Sequence, residues 1–126
     1  MRSLTLTLLL AATVACSTES HALDQVDVAA LQQAKAADQV KILVDVRTPE
    51  EFAAGHVPGA VNVPLDRLET SLAQLEPHKA GPVHVICQSG RRSQTASAIL
   101  EKHGFKPVDV AGGTGAWAAA GYPLER

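Results

Sequence analysis

The stretch VHVICQSGRRS, residues 83–93, places a short apolar run directly before a loop that carries a cysteine, a glycine and two arginines. Residues 83–86 are mostly β-branched and apolar, which is typical of a buried strand. A helical pattern runs from Ser93 to His103, and Gly104 provides its C-terminal cap. The stretch therefore predicts a strand, a tight loop and a helix in succession.

Two further segments have the same strand character, residues 40–46 (VKILVDV) and residues 108–110. Helical segments separate the predicted strands, and a last helical turn is expected around Trp117. Strands that alternate with helices pair in parallel and carry helices on both faces. The chain therefore has the pattern of an α/β sandwich.

Two of the helical segments lie between the first and second of these strands. Thr48, Pro49 and Glu51 form a helix start, with Thr48 as N-cap and Glu51 as its reciprocal partner. Gly55 ends that helix within two turns. The second segment repeats leucine at intervals of three and four, which predicts one apolar helical face over residues 65–75.

Residues 1–22 differ from the rest of the chain, because a basic residue precedes an apolar run over residues 4–14 that is too short to span a bilayer. This pattern is typical of a secretory signal peptide, and SHA ending at Ala22 fits a cleavage site that would release a chain beginning at Leu23. The alternative is lipidation at Cys16, which would anchor the protein to a membrane. Its preceding residues fit a lipobox poorly.

The chain length of 126 residues is enough for one core and hardly for two. We therefore expect one domain over residues 23–126, periplasmic or secreted, and a monomer. The net charge of −2 and the 3% of aromatic residues argue against binding to nucleic acid, which favours a basic face or stacking rings.

Cys87 would be the single cysteine left after removal of the leader. A lone cysteine is often a small core residue, but an unpaired thiol in an exported protein can also be reactive. Cys87 falls at the carboxyl end of a strand, where parallel sheets bind ligands. The N–H groups of residues 88–93, the following helix terminus, Arg91 and Arg92 all favour a thiolate, and Gly90 lets the chain curl round the sulfur.

Three segments carry a resemblance to a known family: LVDVRTPEEFAAGHVPGAVNVPL, CQSGRRS and AGGTGAWAAAGYP. They resemble, in order, the signature segments of rhodanese-like sulfurtransferases, and an exported single domain is similar to periplasmic rhodaneses of the phage shock protein E type. The resemblance implies a three-layer sandwich around a five-stranded parallel sheet. It also implies transfer of a sulfane sulfur through a cysteine persulfide, with no metal or organic cofactor.

The resemblance also assigns roles to the loop. It implies that Cys87 carries the sulfur, and that the substrate-binding cradle consists of the five residues that follow: Gln88, Ser89, Gly90, Arg91 and Arg92. Both arginines would face a small anionic sulfur donor such as thiosulfate. The acceptor would be cyanide or a thiol.

Asp45, Arg47 and Ser93 are candidate supporting residues. Asp45 and Arg47 end the first long strand, and Asp45 is a candidate partner for one of the loop arginines. For this pair of residues a structural ion pair is favoured over a direct catalytic role. We expect the His56 side chain to have a packing or hydrogen-bonding role. The other histidines lack the spacing of a zinc site.

Two other classes of function stay open. A cysteine-dependent phosphatase or arsenate reductase would also use a thiolate in an amide cradle closed by an arginine. However, four residues separate Cys87 from Arg92, whereas protein-tyrosine-type phosphatases have five. A binding module without catalysis would use the same fold to dock a partner, and the intact Cys87 argues against it.

Overall fold

A computed structural model describes residues 23–126, so the predicted leader and Cys16 lie outside the described residues. Five strands form one sheet: β1 (Asp24–Val26), β2 (Leu43–Asp45), β3 (Val61–Asn62), β4 (Pro82–Ile86) and β5 (Lys106–Val110). Four α-helices accompany it: α1 (Val28–Ala36), α2 (Pro49–Ala54), α3 (Arg91–Lys102) and α4 (Gly113–Ala119). The strand order is β1-β5-β4-β2-β3, and all neighbouring strands are parallel.

Two apolar clusters cover the two faces of the sheet. Val83 and Val85 of β4 belong to the first cluster, with side chains of α3, whereas Ile86 belongs to the second. Leu31 of α1 and Trp117 of α4 also belong to the second cluster, and both are fully buried. Because successive residues of a strand point to opposite faces, the helices form layers on both sides. The predicted α/β sandwich with a five-stranded parallel sheet is confirmed.

Helix α2 begins as the sequence predicts. The Glu51 amide donates to Thr48 Oγ1 at 3.2 Å, the Thr48 amide donates to Glu51 Oε1 at 3.3 Å, and Pro49 occupies the first helical position. This reciprocal pair satisfies two amides that have no partner within the helix. The helix ends at Ala54, directly before Gly55.

The leucine-rich segment departs from the prediction of one α-helix. Residues 65–78 instead form three 3-10 helices, Leu65–Arg67, Leu72–Gln74 and Glu76–His78. The Thr70 hydroxyl donates to the Arg67 carbonyl at 3.0 Å, and Ser71 leaves helical geometry with φ −114° and ψ 9°. The leucine spacing is met by short turns as well as by a helix, because residues three apart share a face in both.

Two boundaries differ at the loop after β4. Helix α3 begins at Arg91 rather than Ser93, because Gly90 adopts φ +97° and acts as its N-cap. Both arginines therefore belong to the first turn of the helix instead of the loop. Within residues 23–126 no helix is long and apolar enough to span a bilayer.

Candidate active site

The sulfur of Cys87 lies under a tight turn at the carboxyl end of β4. The residue is 1% exposed, whereas Gln88 and Ser89 at the tip of the turn are exposed. The Gly90 amide donates to Cys87 Sγ at 3.0 Å, and Ser93 Oγ lies 3.5 Å from the same atom. The turn and the first turn of α3 thus direct polar hydrogens at one sulfur atom.

These contacts set the acidity of the thiol. Burial raises the pKa of Cys87. Hydrogen bonds from the Ser93 hydroxyl and from the amides of Ser93, Gly90 and Ser89 together lower the pKa by more than burial raises it, so the pKa lies below the ordinary cysteine value. A hydrogen bond to the charged form favours that form. A thiolate is the nucleophilic form of cysteine, so the geometry suits an attack by Sγ on an electrophile.

The glycine-rich segment 112–115 supports the turn from behind. The Thr114 amide donates to the Cys87 carbonyl at 2.8 Å, and the Gly115 amide donates to the Gln88 carbonyl at 3.0 Å. Gly113 has φ +60°, and a Cβ atom there would come within 2.8 Å of the Gln88 carbonyl oxygen. Because these carbonyls are held on the side of α4, the following amides are free to face the sulfur.

Sequence reasoning missed this supporting role. The segment AGGTGAWAAAGYP entered the sequence analysis as one of the three that carry the family resemblance, and no contact with the Cys87 turn was predicted for its glycines. The available signal was the pair Gly112 and Gly113, because two adjacent glycines at the start of a helix indicate close approach of another backbone.

Asp45 pairs with Arg47 and not with an arginine of the loop, so that part of the prediction is wrong. Arg47 NH2 lies 2.8 Å from Asp45 Oδ2, Nε also donates to the carboxylate, and both residues are almost fully buried. A buried carboxylate needs a partner that satisfies it completely. Arg47 does this from two residues away, because the chain turns immediately after β2.

The buried ion pair extends to the active-site turn. Arg47 NH2 also donates to the Gly55 carbonyl at 2.8 Å, and Arg47 NH1 donates to Gln88 Oε1 at 3.3 Å. The Asn62 side-chain amide donates to the carbonyls of Asp45 and Arg47. Asp45 and Arg47 therefore brace the end of β2 against the turn, and neither contacts the sulfur.

Arg91 and Arg92, in the first turn of α3, have different side-chain partners. Arg92 forms a two-point ion pair with Glu51 of α2, with NH1–Oε1 at 2.7 Å and NH2–Oε2 at 2.9 Å. Arg91 is exposed, and within residues 23–126 it has no side-chain partner. The guanidinium of Arg92 is thus already paired with a carboxylate, and the substrate-facing role implied for both arginines stays a prediction.

A groove of about 560 Å³ runs alongside the site. It is lined by Val46, residues 48–50, residues 64–67 and Arg92. Cys87 itself does not line the groove. Arg92 lines this groove, and the next residue in the chain, Ser93, contacts the sulfur.

His56 has the hydrogen-bonding role that the sequence indicates. Its Nδ1 lies 2.8 Å from the Phe52 carbonyl oxygen, its ring stacks on the Phe52 ring, and Nε2 lies 3.3 Å from Glu125 Oε1. Among the described residues no three His, Cys, Asp or Glu side chains come together as a metal site.

Comparison with known proteins adds to this geometry. Residues 27–120 match the family model described as Rhodanese-like domain. Thiosulfate sulfurtransferase PspE of Escherichia coli K12 is 41% identical over 70 residues, which cover 56% of this chain and 67% of that protein. A sulfurtransferase of Allochromatium vinosum is 33% identical over 102 residues, which cover 80% of this chain and 94% of that protein.

A solved structure shows the same fold. The crystal structure of a rhodanese-related protein from Thermoplasma volcanium superimposes with a TM-score of 0.73 at 31% identity, and the match covers 81% of this chain and 97% of that one. The family match covers strands β2 to β5, the Cys87 turn and the supporting segment 112–115. The chain belongs to the rhodanese-like domain family.

Proposed function

We propose that the protein is a thiosulfate-type sulfurtransferase that carries a sulfane sulfur as a persulfide on Cys87. The observation that carries the proposal is the pair of polar contacts at one buried sulfur: the Gly90 amide donates to Cys87 Sγ at 3.0 Å, and Ser93 Oγ lies 3.5 Å from the same atom. The sulfurtransferase names of the relatives support the reaction class.

The proposed reaction has two steps. The Cys87 thiolate attacks the outer sulfur of thiosulfate, a new S–S bond forms, the S–S bond of the donor breaks, and sulfite leaves with the electron pair. A nucleophilic acceptor, cyanide or a thiolate, then attacks the outer sulfur of the persulfide and regenerates the Cys87 thiolate. The acceptor leaves as thiocyanate or as its own persulfide, so the cycle is ping-pong and redox-balanced.

The surrounding amides stabilise the charge of the intermediate. The persulfide is an anion, and its inner sulfur, Cys87 Sγ, is the atom that the Gly90, Ser89 and Ser93 groups contact. Fixed donors aimed at developing charge in a site that excludes water contribute up to a few kcal/mol each.

Arg91 is the residue we propose to meet the donor anion. It lies in the first turn of α3 and is exposed without a side-chain partner among the described residues, whereas Arg92 is bound to Glu51. A dianion attracted to the helix terminus would gain from this unpaired guanidinium in the first turn of α3.

A phosphatase or arsenate reductase is the second candidate, and the length of the turn disfavours it. The sulfur already receives the Gly90 amide only three residues further along the chain. A ring this small fits one additional sulfur atom, whereas a tetrahedral phosphate would be crowded, and misplacement by about one ångström costs on the order of a hundredfold in rate.

The deciding experiment measures sulfur transfer and phosphate hydrolysis with the same purified protein. Incubation with thiosulfate should add one sulfur atom by intact mass, cyanide should remove it as thiocyanate, and an aryl phosphate should not be hydrolysed. Cys87→Ser should lose the added sulfur and all turnover. Arg91→Ala should raise the KM for thiosulfate, whereas Lys102→Ala, which removes an exposed cation at the opposite end of α3, should not.

A faster hydrolysis of the aryl phosphate than transfer from thiosulfate, abolished in Cys87→Ser, would replace this proposal by the phosphatase reading. A folded wild-type protein that neither gains sulfur nor hydrolyses phosphate would favour the binding module.

A further inference from the structure

Glu51 takes part in two separate arrangements at the edge of the active site. Its carboxylate accepts from the Thr48 amide in the cap of α2, and it also binds both terminal nitrogens of Arg92 on α3. The hydrogen bond from Arg92 is the main reason that the pKa of Glu51 falls to about 2. The ion pair therefore stays charged throughout the physiological pH range.

Arg92 lies within electrostatic range of the nucleophile. Its pKa is raised chiefly by the hydrogen bond to Glu51, against a lowering by burial, and further by the negative charges of Glu51, Cys87 and Asp45. The next residue, Ser93, contacts Cys87 Sγ. The Asp45 carboxylate is already paired with Arg47, so the anions open to this guanidinium are the Glu51 carboxylate and the thiolate, and in this structure it binds the carboxylate.

The alternative position of Arg92 would affect the chemistry. Arginine has a long flexible side chain, and a guanidinium released from Glu51 would be drawn towards the thiolate or the persulfide. A direct contact would stabilise the anion and would also lower its nucleophilicity, since nucleophilicity falls as the pKa of the thiol falls. It would further cover the sulfur from the side of the groove.

We propose that Glu51 is a positioning residue of the sulfur-transfer site, because its two-point pair holds Arg92 beside the Cys87 turn and keeps the guanidinium off the sulfur. The inference rests on the sulfurtransferase function proposed above. It assigns the two adjacent cations different tasks: Arg91 meets the donor, and Arg92 ties α3 to α2 at the rim of the site.

Three parts of the chain beside the Cys87 turn carry charged groups. The end of β2 and the residues after it contribute an internally paired acid and base, α2 contributes two carboxylates, and α3 contributes two guanidiniums: Asp45, Arg47, Glu50, Glu51, Arg91 and Arg92. Only the Glu51–Arg92 pair links two of these elements. A change in that pair is therefore expected to alter the electrostatic potential at the sulfur, while the Asp45–Arg47 pair stays intact.

The test is Glu51→Gln with Glu50→Gln as the matched control. Glutamine at position 51 retains the capping box, since Gln serves as well as Glu at this helix position, but it lacks the charge that binds Arg92. Glu50 is the preceding residue in the same helical turn and has no side-chain partner among the described residues. The two variants remove one negative charge each, from neighbouring positions.

The readout is the rate of alkylation of Cys87 against pH, together with kcat and KM for thiosulfate. In Glu51→Gln the alkylation midpoint should fall by roughly half a pH unit, the KM for thiosulfate should fall about two- to fivefold, and kcat should also fall. In Glu50→Gln all three should stay close to wild type. Equal behaviour of the two variants would overturn the proposal.

Repeating Glu51→Gln in the Arg92→Gln variant distinguishes two causes of the shift: release of the Arg92 guanidinium, and loss of the negative charge of Glu51 itself. In Arg92→Gln the further change Glu51→Gln should shift the midpoint by much less than in the wild-type background, because the guanidinium that it releases is gone. An undiminished shift in Arg92→Gln would show that Glu51 acts by its own charge and would overturn the inference. Alkylation needs no sulfur donor, so this result does not depend on the sulfurtransferase reaction; failure to gain sulfur from thiosulfate would instead count against the proposed function.

Discussion

At the residue scale, α3 carries two buried serines one turn apart with very different surroundings. Ser93 Oγ lies 3.5 Å from Cys87 Sγ, whereas Ser97 Oγ is buried without a hydrogen-bond partner among the described residues. Both side chains are fully buried in the same helix. Comparing an alanine substitution at each serine therefore measures how far the Ser93 hydroxyl lowers the pKa of Cys87.

Ser93→Ala should make Cys87 less acidic. The hydroxyl lowers the pKa of Cys87, and its loss leaves the raising effect of burial less opposed. We expect the midpoint of alkylation against pH to rise by about one unit, given the strength of hydrogen bonds to charged groups. Since a higher pKa means less thiolate, the rate at neutral pH should fall several-fold and recover at high pH.

Ser97→Ala is the control for burial and helix packing. It removes a hydroxyl without a partner among residues 23–126, so it should leave the midpoint unchanged and the free energy of unfolding equal or slightly increased. An identical midpoint in both alanine variants would contradict the assigned role of Ser93.

At the element scale, the start of α4 acts as a support for the turn that follows β4. The amides of Thr114 and Gly115 bind the carbonyls of Cys87 and Gln88, and Gly113 lets the two backbones approach closely. The same close approach occurs on the other side, where a Cβ atom on Gly90 would lie 3.2 Å from the Gly112 amide nitrogen. The geometry of the cradle therefore depends on a second element that never contacts the sulfur.

Gly113→Ala should displace the turn and abolish most of the transfer activity. The methyl group would overlap the backbone of Cys87 and Gln88, and the residue would keep an unfavourable φ of +60°. We expect a loss in the free energy of unfolding of about 2–4 kcal/mol, from the left-handed backbone and from overpacking. Chemical denaturation and the sulfur-loading assay measure the two effects.

Gly121→Ala is the control that separates the backbone strain of a positive φ from the steric clash of the added Cβ atom at Gly113. Gly121 has φ +79°, but a Cβ atom there meets nothing within 4 Å. This variant should lose about 1–2 kcal/mol and retain sulfur loading. Equal loss of loading in both variants would mean that the backbone of 112–115 does not support the site.

At the scale of the whole molecule, the sheet ends in two short edge strands. β1 has three residues and β3 has two, so neither offers a long row of free backbone groups to another sheet. The large apolar side chains that are exposed among the described residues, Val61 and Leu124, lie at separate places in the chain. The monomer expected from the sequence stays a prediction.

We predict that the protein is exported and is a monomer. Expressed in its native host, the protein should be found outside the cytoplasm, with an intact mass that corresponds to a chain beginning at Leu23. Analytical ultracentrifugation should give the mass of one chain. A lipid on Cys16 would contradict the soluble form, retention of residues 1–22 would contradict export, and a concentration-independent dimer would contradict the monomer.

The alternation of strands and helices could be predicted because it follows from local patterns. Short apolar runs separated by helical segments specify parallel pairing wherever the chain has no hairpin. The same holds for the start of α2, since the partners Thr48 and Glu51 are three residues apart and meet as soon as the turn forms. Strands β1 and β3 were not predicted, because strands of two or three residues carry too little periodicity. Helix α1 was not predicted either, and its apolar pattern is weak, since Leu31 is its one buried residue.

The sequence by itself determined the kind of sheet and the position of Cys87 at the end of a strand, and its motifs carried the family resemblance. Tertiary structure alone decided which charges pair: Arg92 with Glu51, 41 residues away in sequence, and Asp45 with Arg47 rather than with the loop. It also decided that residues 112–115 support the turn. Local hydrogen bonds depend on neighbours in the chain, whereas the partner of a charged side chain depends on which elements the sheet order places side by side and on the cost of burying a charge unpaired.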